Sequence, residues 1–352
     1  MNDLSASPPG SARTIPSVEA TAASQSSQDA VAQPTTADPH EAIAVRGVSR
    51  FFGTHPAVQN LDLSVPAGTI TGLVGPNGAG KTTLLLMLAA LLAPDSGTIR
   101  VVGLDPVTQA PEVHRTVGWM PDAFGTWDSL TCTEILLTFA AAQGLPPADA
   151  AVRAPQTLAT VHLEDMARAP ARVLSRGQKQ RLGLARALIH TPRVLLLDEP
   201  AAGMDPRSRA DLRVLLRDLA SAGTTILVSS HILGELEEMV DGVILMAHGR
   251  AVPTSQEHST SSTSPAPLGP VPVRQTWSLR ALDQAGLERW AREAGLTVTA
   301  REKDGLRILV PDDAEAARIL RLAGEAGINV VSFAPVTGAL EEIYLAMEAE
   351  RR

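Results

Sequence analysis

The residues best suited to chemistry form a glycine-rich run between an apolar stretch and a helix-forming stretch. The run reads Gly75-Pro76-Asn77-Gly78-Ala79-Gly80-Lys81-Thr82-Thr83. Glycines let successive backbone N–H groups point at phosphate oxygens, because no Cβ blocks the approach. A helix that begins directly after the loop adds unpaired N–H groups and the positive end of its dipole. The pattern predicts a phosphate-binding loop, in which Lys81 reaches the β- and γ-phosphates and the Thr82 hydroxyl ligates Mg²⁺.

A pair of carboxylates follows a second apolar run further along the chain. The run Val194-Leu195-Leu196-Leu197 is typical of a central parallel strand, and it leads into Asp198 and Glu199. Downstream of a phosphate loop, Asp198 is predicted to hold Mg²⁺, usually through water, and Glu199 to orient or deprotonate an attacking water. Without that loop, the pair would more often be a solvated strand end.

Composition limits the class of protein. The chain has 352 residues, enough for one large or two ordinary domains, and 44% of them are hydrophobic. A formal net charge of −8 argues against nucleic acid as a partner, since such surfaces are normally basic. The single cysteine, Cys132, excludes an internal disulfide. No run approaches the roughly 18–20 apolar residues that a membrane-spanning helix needs.

Composition and periodicity divide the chain into four segments. Residues 1–40 are rich in Ser, Ala, Thr and Pro and are predicted to be a disordered tail. Residues 41–250 are predicted to form an α/β domain with a mostly parallel sheet, an N-terminal antiparallel β subdomain and a helical insertion over about 122–190. A Ser/Thr/Pro linker follows over 251–273, and the β-α-β-β-α-β order of 274–352 predicts a small ferredoxin-like α+β accessory domain.

Two expectations concern individual helices. A helix over 148–158 is expected to be broken or kinked at Pro155, because proline lacks a backbone N–H and clashes with the preceding turn. A last helix is expected over 339–348, near the end of the chain.

A further motif, Leu174-Ser175-Arg176-Gly177-Gln178, opens a helix between the glycine loop and the carboxylate pair. With these motifs in this order, the sequence over about residues 42–250 resembles the ATP-binding cassette (ABC) family of P-loop NTPases, whose signature is L-S-G-G-Q. Arg176 replaces the third signature residue. The resemblance implies ATP and Mg²⁺ as cofactors, and it implies that Ser175, Gly177 and Gln178 act on ATP held by another subunit. Taken alone, the same residues would be an ordinary serine N-cap with a glutamine behind it.

Other residues match further motifs of that family. His231 matches the histidine that contacts the γ-phosphate, so the resemblance implies a catalytic role for it beside Lys81 and Glu199. Asp205 matches the family's D-loop, where it would lie across the dimer interface, or it simply caps the helix that follows.

Two positions match the family less closely. Phe52 matches the aromatic residue that stacks on adenine, where the family more often has tyrosine, or it belongs to the core. Asp122 takes the Q-loop position, where the family has glutamine. A carboxylate there can still bind Mg²⁺ or water, but its side chain is shorter than that of the glutamine that senses the γ-phosphate in the family.

The resemblance is to the drug and polyketide-antibiotic exporter type. It implies an ATP-hydrolysing subunit at the cytoplasmic face of the cell membrane, which powers export of a small molecule through a separate permease. ATP would close two subunits head to tail, and a homodimer is simpler than a heterodimer because the motifs are intact apart from Asp122. An importer subunit is the main alternative. ABC ATPases of DNA repair or translation fit less well, since they carry coiled coils or zinc cysteines, or two cassettes.

An aromatic cluster is predicted to be the docking surface for the permease. Trp119, Phe124 and Trp127 lie close together in a chain of which aromatic residues make up 3%. Aromatic side chains on a partly exposed loop are typical of protein interfaces. The alternative is that Trp119 packs in the local core and that Phe124 and Trp127 lie near it by chance.

Overall fold

The computed structural model describes residues 41–122, 125, 127–230, 236, 239–252, 271–272, 275–302, 305–310 and 313–335. Several predicted features lie outside these residues: the tail over 1–40, Phe124, His231, most of the linker and the helix over 339–348.

Strands and helices alternate along most of the described chain. The strands are β1 (Glu41–Phe52), β2 (His55–Pro66), β3 (Ile70–Val74), β4 (Ser96–Val101), β5 (Val117–Met120), β6 (Val194–Asp198), β7 (Thr225–Ser230), β8 (Gly242–Ala247), β9 (Arg250–Ala251), β10 (Val271–Pro272), β11 (Gln275–Ala281), β12 (Val298–Glu302), β13 (Gly305–Val310) and β14 (Val330–Pro335). The helices are α1 (Lys81–Leu88), α2 (Ala110–Thr116), α3 (Cys132–Ala142), α4 (Pro147–Thr160), α5 (Arg176–Leu188), α6 (Pro206–Ser221), α7 (Gln284–Glu293) and α8 (Asp313–Glu325). Within the described ranges, none of the helices is both long and apolar enough to cross a membrane.

The N-terminal strands form an antiparallel sheet in the order β2-β1-β4. Its inner face follows from alternation in the sequence, because every second side chain of a strand points to the same side. Ile43 pairs with Val65 and Val45 with Leu63, and all four side chains are buried. The predicted antiparallel β subdomain is therefore confirmed.

The larger sheet has the order β10-β8-β3-β7-β6-β5, and its pairs from β8 to β5 are parallel. Strands β3, β6 and β7 are buried along their whole length, which explains their continuous apolar sequences. The carboxyl ends of parallel strands meet at one edge of the sheet. Residues that directly follow β3, β6 and β7 therefore converge, although they are far apart in the sequence.

The range predicted for the helical insertion, about 122–190, contains α3, α4 and α5. Helix α4 is continuous through Pro155, so the expected break was wrong. Its apolar stripe, made of Ala150, Ala154 and Leu158, is buried in the core, whereas Pro155 is exposed. The carbonyl that loses a hydrogen bond to Pro155 therefore lies on the water-facing side, where the loss costs least.

The C-terminal strands form a separate antiparallel sheet in the order β12-β13-β11-β14. The chain order is β11-α7-β12-β13-α8-β14, which gives the expected ferredoxin-like arrangement. Apolar residues of the sheet, including Leu279 and Ile308, pack against Leu287 and Trp290 of α7 and Ile319 of α8.

We predict that Gly118→Ala destabilises the protein, because β5 and the end of α5 leave no space at that residue. A Cβ on Gly118 would lie 2.3 Å from the carbonyl oxygen of Ala187 and 2.9 Å from a side-chain carbon of Leu195. Overpacking of this kind typically costs about 1–3 kcal/mol, so the melting temperature should fall.

Gly324→Ala is the matched control for thermal unfolding. Gly324 lies in α8, and a Cβ added to it would have nothing within 4 Å, so the substitution should be neutral or stabilising. Equal melting temperatures for Gly118→Ala and the wild-type protein would contradict the close packing of α5 on β5.

Candidate active site

The glycine loop connects β3 to α1 and passes very close to neighbouring backbone. A Cβ on Gly75 would lie 2.2 Å from the carbonyl oxygen of Met246, and one on Gly80 would lie 2.3 Å from that of Ala57. Gly78 and Gly80 also have left-handed φ values of 82° and 99°. The loop therefore needs glycine for both space and conformation, as the motif predicts.

Lys81 begins α1 and turns back under the loop. Its ammonium donates to the carbonyl oxygen of Gly75 at 2.7 Å and to that of Pro76 at 3.3 Å. Burial lowers the pKa of this ammonium, while the carboxylates of Glu199 and Asp198 oppose the shift. The cation is thus held in a fixed place at the floor of the loop.

Asp198, at the end of β6, accepts hydrogen bonds from two hydroxyl groups. The Thr82 hydroxyl donates to one carboxylate oxygen at 2.7 Å, and the Ser229 hydroxyl donates to the other. Hydroxyl and carboxylate oxygens are hard ligands of the kind that Mg²⁺ prefers. Thr82 and Asp198 therefore fit the predicted metal site in donor chemistry and in placement.

Ser229 is a site residue that the sequence analysis did not identify. It is the last residue but one of β7, before Ser230, and β7 pairs with β6 so that Asp198 lies opposite Ser229. The available signal was a pair of serines at the end of an apolar strand. The role of this pair depends on the order of strands in the sheet, which the sequence motifs do not specify.

Glu199 has a left-handed backbone, with a φ of 51°. Such a conformation costs a non-glycine residue about 1–2 kcal/mol and is typical of functional positions. The Glu199 N–H donates to both the carbonyl and the hydroxyl oxygen of Ser229, each at 3.2 Å. These two hydrogen bonds stabilise the left-handed conformation of Glu199, where the chain turns after Asp198.

A cleft of about 350 Å³ collects most of the predicted site residues. It is lined by Phe52, His55, Ala57, Asn77, Gly78, Ala79, Gly80, Lys81, Thr82, Thr83, Asp122, Asp198 and Glu199. The volume suits a small polar ligand. His55 belongs to no motif, and only the pairing of β1 with β2 reveals its position.

Phe52 lies at the mouth of this cleft and not in the core. Its side chain is 51% exposed, and the guanidinium of Arg50 lies 5.1 Å from its ring centroid. Arg50 is fixed in turn by Asp95 at 2.8 Å. Of the two interpretations from the sequence, the core role is wrong for Phe52, and the exposed ring is available for stacking.

The signature residues lie elsewhere in the described structure. Ser175 caps α5, and it forms a capping box with Gln178: each side chain bonds the other's backbone N–H, at 2.9 and 3.2 Å. Space is open around Gly177. Neither these residues nor Asp205 line the cleft. One copy of the chain therefore does not bring the two sets of predicted residues together.

Asp205 caps α6. Its carboxylate accepts the backbone N–H of Ser208 at 3.0 Å and the hydroxyl of Ser208 at 2.6 Å. These hydrogen bonds lower the pKa of Asp205. The structure thus contains the simple capping role, while the role across a dimer interface remains a prediction.

The two described aromatic residues of the predicted docking surface differ. Trp119 packs against the core beneath the sheet, which is the alternative that the sequence left open. Trp127 is 50% exposed, and its ring lies 5.9 Å from Phe139, which stacks beneath Arg186 at 4.5 Å. Burial lowers the pKa of Arg186 to about 10. Trp127 therefore packs on Phe139 on one side and is exposed to solvent on the other.

Comparison with known proteins gives consistent matches. The family model described as ABC transporter matches residues 58–202. The daunorubicin/doxorubicin resistance ATP-binding protein DrrA of Streptomyces peucetius is 34% identical over 315 residues, covering 88% of this chain and 93% of that protein. The Nod factor export ATP-binding protein I of Cupriavidus metallidurans is 40% identical over 217 residues, 61% of this chain and 71% of that protein. A solved ATP-binding subunit of an ABC transporter is 27% identical, with a TM-score of 0.55 over 59% of this chain and 87% of that one.

We predict that Phe52→Ala weakens nucleotide binding and that Phe51→Ala does not. Both side chains are about half exposed, at 51% and 45%, but of the two only Phe52 lines the cleft. Stacking on a base is worth about 1–3 kcal/mol, so the affinity for a fluorescent ATP analogue should fall about fivefold or more. Equal losses in the two variants would show that Phe52 does not stack on the base.

Proposed function

Because the chain belongs to the ATP-binding subunits of ABC transporters, we propose that it powers the export of a small molecule through a separate membrane permease. The observation that carries this proposal is the convergence of Lys81, Thr82, Asp198 and Glu199 in one cleft. The names of its relatives refer to drug resistance and to Nod factor export, which supports export and does not favour the importer alternative.

ATP is the substrate of the cleft in this proposal. The loop Gly75–Thr83 binds the phosphates through backbone N–H groups, and Lys81 adds a fixed positive charge. Phe52 stacks on the adenine, at the mouth of the cleft. Thr82 and Asp198 would hold Mg²⁺, and the Asp122 carboxylate, which lines the same cleft, would add a further oxygen ligand directly or through water. Mg²⁺, when bound, supplies charge that offsets the negative charge of the phosphates.

Glu199 is proposed to act on the attacking water. It orients the water and accepts its proton while the water oxygen bonds to the γ-phosphorus. The bond from that phosphorus to the bridging oxygen breaks, and ADP and inorganic phosphate leave. His231 follows β7 directly in the sequence and is proposed to contact the γ-phosphate, which agrees with the position of the β7 end beside Asp198.

A second copy of the chain completes each cleft in this proposal. Ser175, Gly177, Gln178 and Asp205 do not line the cleft of their own chain, and the start of α5 is a suitable site for an anion. A head-to-tail homodimer would place these groups on the nucleotide of the partner. Closure of the dimer on ATP and its opening after hydrolysis would drive the permease.

The permease also determines location in this proposal. We place the subunit at the cytoplasmic face of the cell membrane, where the surface around Trp127 binds the permease. The exposed ring on a packed aromatic base is typical of an interface anchor. The permease, and not this chain, would bind the exported compound.

We predict that Glu199→Gln retains ATP binding but lowers the rate of hydrolysis at least about 10²-fold, because the amide cannot accept the proton. With Mg²⁺ and ATP, the variant should accumulate as a dimer in size-exclusion chromatography. The exposed Glu164→Gln is the control and should hydrolyse ATP at the wild-type rate. Wild-type hydrolysis by Glu199→Gln would contradict the assignment of the base.

We predict that Trp127→Ala uncouples transport from hydrolysis. In the complete transporter, export per ATP hydrolysed should fall at least about threefold, as expected for loss of an interface aromatic residue, while ATP affinity stays unchanged. Leu91→Ala removes another half-exposed apolar side chain, 53% exposed, and is the control. Unchanged export by Trp127→Ala would mean that the permease binds elsewhere.

A further inference from the structure

We propose that Arg176 is a positioning residue that couples the start of α5 to the loop over 201–205, which is separated from Glu199 by Pro200 alone. The inference rests on the proposed function, because it concerns how the two nucleotide sites of a dimer communicate. Arg176 stands where the family signature has glycine, and a glycine has no side chain to make the contacts described below.

The side chain of Arg176 lies flat against Gly203. A Cβ on Gly203 would be 2.5 Å from Nε, 2.7 Å from Cδ and 2.9 Å from Cζ of the arginine. Three successive atoms at similar distances mean that the end of the side chain runs across the glycine. The loop therefore has no side chain at the point where Arg176 crosses it, and a side chain there would displace the arginine.

The same helix holds the loop at a second point. Arg181 of α5 donates to the Ser208 hydroxyl at 2.9 Å and lies 3.4 Å from Asp211. The Ser208 hydroxyl in turn donates a hydrogen bond to the Asp205 carboxylate at 2.6 Å. Helix α5 therefore contacts the loop directly through Arg176 and fixes its last residue indirectly through Arg181.

The loop is tied to Glu199 by its own backbone. The N–H of Ala202 donates to the carbonyl of Glu199 at 3.1 Å, and the N–H of Met204 donates to that of Ala201 at 3.1 Å. On the other side, Arg209 of α6 donates to the carbonyl of Met204 at 3.1 Å. These hydrogen bonds form one short turn between Glu199 and Met204, so a shift at Gly203 would be passed to the backbone of Glu199.

These contacts would connect the nucleotide bound at the start of α5 to the nucleotide in the cleft of the same chain. Ser175 and Gly177 are proposed to contact the nucleotide of the partner, and Arg176 lies between them in the sequence. When those residues bind, Arg176 presses on the loop that positions Glu199 in its own chain. The two hydrolysis events would thereby be coupled through Arg176 in each subunit.

A double-mutant cycle in the full chain tests this link, with Arg176→Ala, Gly203→Ala and the two combined. Gly203→Ala places its Cβ against the arginine and should lower kcat about tenfold, with KM for ATP within about twofold. Arg176→Ala should lower kcat about threefold with KM unchanged. In the combined variant the clash is gone, so kcat should return to within about threefold of Arg176→Ala.

Controls separate the link from simple stability. The exposed Arg172→Ala removes a positive charge close to the same helix start and should leave kcat unchanged. Gly203→Ala that is equally harmful with and without Arg176 would overturn the proposal, because only the left-handed φ of 74° would then matter. Changes in melting temperature with no change in kcat would overturn it as well. A wild-type chain that neither hydrolyses ATP nor dimerises would remove the proposed function together with the link, and that outcome is distinct from the first two.

Discussion

The buried carboxylate of Asp198 is the constraint on which the rest of the site depends. The residue is 2% exposed, and a charged group in that position is strongly destabilising unless it is hydrogen-bonded. Thr82 and Ser229 provide those bonds from α1 and β7. The end of β6 is thereby fixed to two other elements at the same edge of the sheet. This constraint also determines the path of the glycine loop, because the loop must place the Thr82 hydroxyl beside Asp198.

Charge and strain are both concentrated in this small region. Burial removes solvation from the Lys81 ammonium and lowers its pKa, and the nearby carboxylates of Glu199 and Asp198 partly offset that loss. Glu199 occupies a left-handed backbone conformation that Ser229 holds in place through two hydrogen bonds. Each unfavourable feature therefore has its compensation in direct contact with it. Contacts within the protein itself fix these groups in place, which is the condition for electrostatic catalysis.

The central strand and the glycine loop could be predicted from the sequence because their signals are contained in short continuous segments. The run Val194–Asp198 reads as a buried parallel strand, and the glycine loop carries its conformational needs in its own residues. Features that depend on neighbours distant in sequence could not be predicted. Ser229 matters only because β7 lies beside β6, and α4 continues through Pro155 only because that residue faces water. The sequence alone does not decide whether Phe52 belongs to the core or to the cleft, because that also depends on residues distant in the sequence.

The start of α5 carries backbone donors that its own chain leaves without a partner among the described residues. A helix leaves its first N–H groups without partners inside the helix. The capping box satisfies those of Ser175 and Gln178. None of the hydrogen bonds among the described residues engages the N–H of Arg176 or Gly177, and the start of the helix does not line the cleft of its own chain. These donors lie at the positive end of the helix dipole and suit an anion. The glycine loop lies elsewhere in the chain, so in the proposed dimer these donors would bind a nucleotide held by the second copy.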